Sequence, residues 1–329
     1  MINPAVNSTG RRAGTAPARR AAYEHLVIVT RQTELEELTA RFNTAAQARF
    51  YLEHAGRDFT PIAQDHQQYH AVLDNLRGAI PRGIKSQIID RQFLPQFSFG
   101  EDDLVVTIGP DGLVVNTAKY LAQQPILAIN PDPNKIEGVL LPFTMDKAVT
   151  SLADTLAGQR RIQSITMANA RLNDGQELLA FNDLFIGPKS HTSARYRLEQ
   201  NGNAEDQSSS GIIVSTGAGS TGWLKSVYTG AVGIVEALGG EVRLPKDGGR
   251  FGWDEDYLIY TVREPWPSKT SQAKQIFGLI TPDQPLKLTS YMAQHGVIFS
   301  DGIESDYLQF NAGFSATIAI ADHKARLII

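Results

Sequence analysis

Residues 104–112, Leu-Val-Val-Thr-Ile-Gly-Pro-Asp-Gly, decide how the chain reads. Four aliphatic residues and a threonine run straight into a glycine-bounded acidic turn, and Val114 to Leu121 then look helical. A short run of this kind suits a parallel strand buried on both faces, since crossover helices cover each side of the sheet. At the carboxyl end of such a strand, glycines let the backbone approach a ligand, and the amides that open the next helix can hold phosphate. A carboxylate placed there is sited to bind magnesium or to take a hydroxyl proton. Pro-Asp-Gly is also a good plain turn, and spacing alone leaves both readings open.

Working outward, Leu26-Val27-Ile28-Val29 and Ile126 to Ile129 read as strands of the same buried type, with a shorter one at Ile88-Ile89. Thr33 followed by Glu36 makes a capping box. Leu35, Leu38, Phe42, Ala45, Ala46, Phe50 and Leu52 recur at helical spacing, with a break expected at Asn43-Thr44, and Tyr69, Val72, Leu73 and Leu76 mark a helix ending near Gly78. Strands alternating with helices from about residue 25 to 130 predict an α/β unit built on a parallel, doubly wound, Rossmann-like sheet. After a helix over Asp146 to Leu156 the character changes. Ile162–Leu172, Glu177–Phe181, Leu184–Ile186, Ala194–Glu199, Ile212–Thr216, Tyr257–Val262 and Leu286–Ser290 are brief and β-rich, separated by turns such as Asn173-Asp174-Gly175 and Asn201-Gly202, with one helix near Val227–Leu238. The expected organisation is a disordered tail over 1–23, an α/β nucleotide-binding domain over 24–145 and a mainly β domain over 146–329, the last strands of which return to the first domain.

Composition removes several function classes. The 329 residues include no cysteine, which excludes disulfides, thiolate metal sites and a catalytic cysteine. Net charge is −4, but Arg11, Arg12, Arg19 and Arg20 sit in an acid-free stretch of 23 residues, leaving 27 positive against 35 negative charges in the remainder. An acidic body is a poor general nucleic-acid binder, so no nucleic-acid partner is expected. Neither a membrane-spanning run nor a signal-peptide core is legible, which predicts a cytoplasmic protein with no membrane partner, or an organellar-matrix one if the Arg-rich start is a transit peptide.

Four further segments carry polar chemistry. Gly217-Ala218-Gly219-Ser220-Thr221-Gly222 follows Ile212-Ile213-Val214 and matches G-x-G-x-x-G, with Glu241 downstream, but β-type segments flank it and a dinucleotide fingerprint needs a β-α-β unit. It also misses the serine-hydrolase elbow, because Ala218 stands two before Ser220. Asn182-Asp183 lies between apolar strands and reads as a turn pair or a binding pair; Asp301-Gly302 reads as a hairpin turn. His66 and His70 are spaced i, i+4 but lack the zincin glutamate, so they read as a solvated helix face, and no metal-ligand set is expected.

Taken in order, TIGPDGLVVNTAKYL, PILAINPDPNKIEGVLLP, AFNDLFIG, SSSGIIVSTGAGSTGW and FSDGIESDYLQF resemble the NAD kinase family, and most of all its mitochondrial-type branch, from about residue 24 to the end. The resemblance implies an α/β domain followed by a β-sandwich-like domain. It also implies transfer of the γ-phosphoryl group of ATP, carried with Mg2+, to the 2′-hydroxyl of the adenosine ribose of NAD, giving NADP, in a homodimer or higher homo-oligomer. By this likeness Asp111 is the catalytic aspartate, and Gly109, Gly112, Asn130, Thr216, Gly219 and Ser220 bind phosphate or nucleotide. NAD falls to Asn182, Asp183, Ser210, Thr221, Gly222, Trp223 and Ser226. The family's phosphate turn is Gly-Gly-Asp-Gly-Thr, whereas here it is Gly109-Pro110-Asp111-Gly112-Leu113. Pro110 deletes one amide donor and Leu113 a hydroxyl. Those two changes keep a sugar or lipid kinase and a catalytically silent nucleotide-binding module as rival readings.

Overall fold

A computed structural model describes residues 23–244 and 246–329. The tail expected over 1–23 therefore lies almost wholly outside the described residues. The chain begins β1 (His25–Thr30), α1 (Glu34–Phe42), α2 (Ala45–His54), α3 (Thr60–Gly78), β2 (Lys85–Asp90), β3 (Asp103–Ile108), α4 (Asp111–Ala118), β4 (Pro125–Asn130), β5 (Phe143–Thr144) and α5 (Met145–Leu156). Next come β6 (Ile162–Ile165), β7 (Ala168–Leu172), β8 (Glu177–Ala180), β9 (Asp183–Pro188), β10 (Ala194–Gln200), β11 (Asn203–Ser209), β12 (Ile212–Ser215) and α6 (Trp223–Ala237). The remaining strands are β13 (Leu258–Val262), β14 (Phe277–Ile280), β15 (Leu286–Ser290), β16 (Gly296–Ser300), β17 (Ile303–Gln309), β18 (Ser315–Ile320) and β19 (Ala325–Ile328).

The first sheet has the order β2-β1-β3-β4-β19-β6, parallel except for β6, with β5 paired to β4. Alternation along β1 explains its unbroken apolar run. Leu26 and Ile28 face α3 and α5, while Val27 and Val29 face α4, so both faces are dry. The capping box forms, with Thr33 N donating to Glu36 Oε2 at 2.7 Å and Glu36 N to Thr33 Oγ1 at 3.3 Å. The break at Asn43-Thr44 is also present: Asn43 adopts φ 65°, and Thr44 caps α2 by accepting from Gln47 N. This layer draws on residues beyond 145, because α5 packs on the sheet and β6 and β19 extend it.

The other layers are two six-stranded antiparallel sheets, β11-β10-β15-β18-β7-β8 and β14-β13-β12-β9-β16-β17, with one apolar core drawn from both. Three expected element bounds need correction. Ile162–Leu172 is two strands in different sheets, β6 and β7, since the chain crosses between layers at Thr166, whose N–H donates to Trp253 O at 2.7 Å. The helix expected at 227–238 begins at Trp223, and α4 begins at Asp111 rather than Val114. As its β-type flanks imply, the Gly217–Gly222 loop belongs to no β-α-β unit, since β12 lies antiparallel between β9 and β13.

Candidate active site

Strand order reverses between β1 and β3, and in a parallel sheet that switch point leaves a crevice at the carboxyl ends of the strands. A cleft of about 260 Å³ lies there, lined among others by Arg31, Thr33, Gln68, Gly109, Pro110 and Lys135. The Tyr69 hydroxyl sets its floor: it accepts from Arg31 N and donates to Ile108 O, each at 3.1 Å, joining the ends of β1 and β3. Burial pushes this phenol up to about 12, so it stays a donor at any physiological pH. Lys135 pairs with Asp65 across the cleft and lies 3.8 Å from Asp132.

Asp111 is half-buried and opens α4 directly after Pro110, which occupies the N-cap with φ −73°. Asp111 Oδ1 accepts from Leu140 N at 2.7 Å, and its second oxygen has no protein partner among the described residues. The amides of Asp111 and Gly112 are the first of the helix, where no carbonyl within the helix can reach them. Leu113 differs from its expected role. Its side chain is 3% exposed and packs beneath the turn in the core with Val27, Val105 and Ile126. A Cβ on Gly109 would stand 2.9 Å from Leu113 Cδ2, so a larger residue there would make the leucine side chain shift. A threonine at 113 would bury its hydroxyl rather than offer it to phosphate. Leu113→Thr is accordingly expected to cost on the order of 2–3 kcal/mol of stability in denaturant unfolding. Pro110→Gly alone is the change expected to raise phosphoryl-transfer turnover, because it restores an amide donor at the helix head.

Asn130 is also an internal prop. It is buried, donates from Nδ2 to Ile136 O at 3.0 Å and accepts from Asp132 N on Oδ1 at 3.0 Å, shaping the cleft wall rather than presenting an amide to nucleotide.

The second half of the site is built around residues 181–183. The carboxylate of Asp301, in the turn between β16 and β17, accepts from Asn182 N at 2.7 Å, Phe181 N at 3.1 Å and Asp183 N at 3.2 Å. Burial pushes the Asp301 pKa up, against the pull of these amides and of Lys119. Lys119, at the C-terminal end of α4 and only 3% exposed in its side chain, donates to Ser300 Oγ at 2.9 Å and to Asp306 Oδ2 at 3.2 Å. The helix headed by Asp111 is thus tied at its tail to the turn that holds Asn182 and Asp183. The Asn182 side chain is half-exposed and takes no protein partner among the described residues. Asp183 Oδ1 is buried without a partner. Burial raises the Asp183 carboxyl to about 7; Ser215 beside it pulls the other way and the Asp301 charge adds to the rise.

The glycine-rich loop closes over this pair. A Cβ on Gly219 would lie 2.2 Å from Asn182 O, and one on Gly217 2.0 Å from Gly252 O, so both approaches admit only glycine. Thr216 and Ser220 are buried and spend their hydroxyls on backbone, Thr216 Oγ1 donating to Phe181 O at 2.6 Å and Ser220 Oγ to Gly217 O at 2.7 Å. In this arrangement their hydroxyls shape the loop. Thr221, Gly222 and Ser226 are exposed beside it, Ser226 Oγ donating to Gly222 O at 3.3 Å. Trp223 stacks on Phe185 with centroids 5.8 Å apart, and the Arg263 guanidinium sits 5.7 Å above the indole. Ser210 donates to Glu264, which places a carboxylate beside the serine.

Arg31, Lys119 and Asp301 were not singled out as site residues from sequence. Only Asp301 carried a signal, an acid directly after a strand, and a hairpin turn explains that equally well.

No family model matches the chain. The NAD kinase of Azotobacter vinelandii is 30% identical over 165 residues, covering 48% of this chain and 54% of that protein. A yeast NADH kinase solved with NADH superposes with a TM-score of 0.57 at 13% identity, over 95% of this chain and 88% of that one. Over about half its length the chain is thus similar in sequence to an NAD kinase, and it shares the fold of an NADH kinase. A second NAD kinase structure, from Archaeoglobus fulgidus and solved with ATP, gives a TM-score of 0.53 at 14% identity over 92% of each chain. Identities this low speak to the NAD kinase fold alone, the α/β layer and paired β-sheets described above. The chain spans about half the length of the curated relatives it matches.

Proposed function

We propose that the protein transfers the γ-phosphoryl group of MgATP to the 2′-hydroxyl of the adenosine ribose of NAD. The observation that carries this reading is the state of Asp111, which is fixed through one oxygen by Leu140 N while the other is left for a hydroxyl proton at the mouth of the switch-point crevice. In the step itself the ribose oxygen attacks the γ-phosphorus, the bond from that phosphorus to the bridging oxygen breaks, ADP departs and the hydroxyl proton passes to Asp111. Such a transfer rests mainly on positioning and charge, which the helix-head amides and the cations Arg31 and Lys135 supply in the cleft. Asn182, Asp183 and the stacked Trp223 then take the dinucleotide, with Gly219 letting the loop close on it. The mitochondrial-type character, a homodimeric or larger assembly and a cytoplasmic workplace belong to the same proposal. Assembly is supported by α6, which buries only Leu224 and leaves Ile234 64% exposed, with Leu238 just beyond it 84% exposed. Among the described residues no helix is long and apolar enough to cross a membrane.

Incubating the purified protein with MgATP and NAD, and reading NADP with an NADP-specific dehydrogenase, is expected to show steady turnover. ATP consumption with a sugar or lipid alcohol but not with NAD would favour the sister kinases, and nucleotide binding without any turnover the silent module.

A further inference from the structure

We propose that Glu36, His66 and His70 form a binding site for one late first-row divalent cation of the zinc, cobalt or nickel type, distinct from the magnesium carried by the nucleotide. The sequence shows only the two histidines, one turn apart on α3, and the fold supplies the missing acid from the first turn of α1. One donor atom from each of the three residues lies within 4.8 Å of the other two. His70 Nε2 and Glu36 Oε1 stand 3.0 Å apart, and the two imidazole rings have centroids 4.4 Å apart. Bonds of about 2.0–2.2 Å to a tetrahedral ion place its ligands roughly 3.3–3.6 Å from one another. The widest gap here therefore closes by about an ångström, through rotation of side chains that are 40% exposed for His70 and 36% for Glu36.

Two imidazole nitrogens and one carboxylate oxygen suit these metals, whereas magnesium calls for oxygen donors and retained water. The arrangement also has outer support. Glu36 Oε2 accepts from Thr33 N at 2.7 Å and from Thr33 Oγ1 at 3.1 Å, which fixes the carboxylate, and Thr33 Oγ1 lies 2.8 Å from His66 Nδ1. A capping box explains Thr33 and Glu36 but requires neither histidine. Arg31 and Asp90 line a shallow cleft together with Glu36 and His70, so one cation and one anion offset each other near these two ligands. The same Arg31 and Thr33 line the nucleotide cleft, so a bound ion clips the cleft's first wall, residues 31–36, onto α3. This inference does not depend on the kinase reading.

Tag-free protein stripped with chelator is to be titrated with Co2+ and Zn2+ by calorimetry, with the visible absorption of Co2+ as a second readout. One ion per chain is expected, with a cobalt band marking nitrogen ligation and a melting temperature that rises with metal concentration. His66→Ala and His70→Ala should each weaken binding by tenfold or more, and the double variant should lose the cobalt band while keeping the melting temperature of the metal-free protein. Those two variants carry the test, because Glu36→Gln also disturbs the cap of α1. Unchanged binding in the double variant, no cobalt band in the parent protein, or displacement of Co2+ by equimolar Mg2+ would each overturn the site.

Discussion

Asp111→Asn is expected to lower NAD phosphorylation by ~10²–10⁴, the span typical of losing a positioned general base. The substitution isolates the proton-accepting role. An asparagine carbonyl oxygen still accepts from Leu140 N, the bond that Asp111 Oδ1 makes at 2.7 Å, so the head of α4 and the wall at 140 keep their places. Nucleotide affinity, measured by calorimetry, should change little. Asp111→Ala removes that hydrogen bond as well and should lower the melting temperature besides abolishing turnover. If the asparagine variant turns over at the parent rate, Asp111 is merely a turn residue and the kinase reading loses its centre.

Asp183→Asn is expected to stabilise the unliganded protein above neutral pH, by as much as about 4 kcal/mol, and to flatten its pH dependence. The carboxyl is raised to about 7, chiefly by burial, against about 3.9 in an unfolded chain. Between about pH 4 and 7 the unfolded chain releases this proton while the fold retains it, so the term it contributes to stability falls as pH rises through that window and levels off above it. An asparagine carries no such penalty. Denaturant unfolding at pH 5 and pH 8 reads the difference, and an equal effect of the substitution at both pH values would refute it. The same proton reports on the ligand. If bound NAD places hydrogen-bond donors beside the Asp183 carboxyl, binding favours the carboxylate, so affinity should increase from pH 6 to pH 8 in the parent protein and not in the variant. On the proposed function the protein then holds a destabilising charge whose compensation comes from its ligand.

The parts of this fold legible in the sequence are those whose burial is decided locally. Strands β1, β3 and β4 are covered on both faces and stand out as unbroken aliphatic runs, and the box at Thr33-Glu36 and the turn at Asn43-Thr44 are short-range chemistry. β11, Asn-Ala-Glu-Asp-Gln-Ser-Ser, is illegible because its residues are mostly polar and its partner β10 decides its conformation. The site divides in the same way. Asp111, Asn182 and Asp183 stand out from their neighbours, whereas the burial of Leu113, Thr216, Ser220 and Asn130 follows from what folds over them. The grip of Asp301 on Phe181, Asn182 and Asp183 spans about 120 positions and exists only in three dimensions.

β19 has a consequence for how the molecule comes into being. It sits between β4 and β6, hydrogen-bonded to both, yet nearly two hundred residues separate Asn130 from Ala325. During synthesis at about 5–20 residues per second, the Pro125-Ile126 part of β4's outer edge, which β5 does not reach, waits on the order of 10–40 s unpaired. An open parallel edge is a template for another chain. The parallel sheet that carries the switch-point cleft is therefore completed only after both antiparallel sheets have been made. The half of the molecule that reads most clearly as a self-contained nucleotide-binding unit is thus a late product of folding, and it depends on the other half for its closing strand.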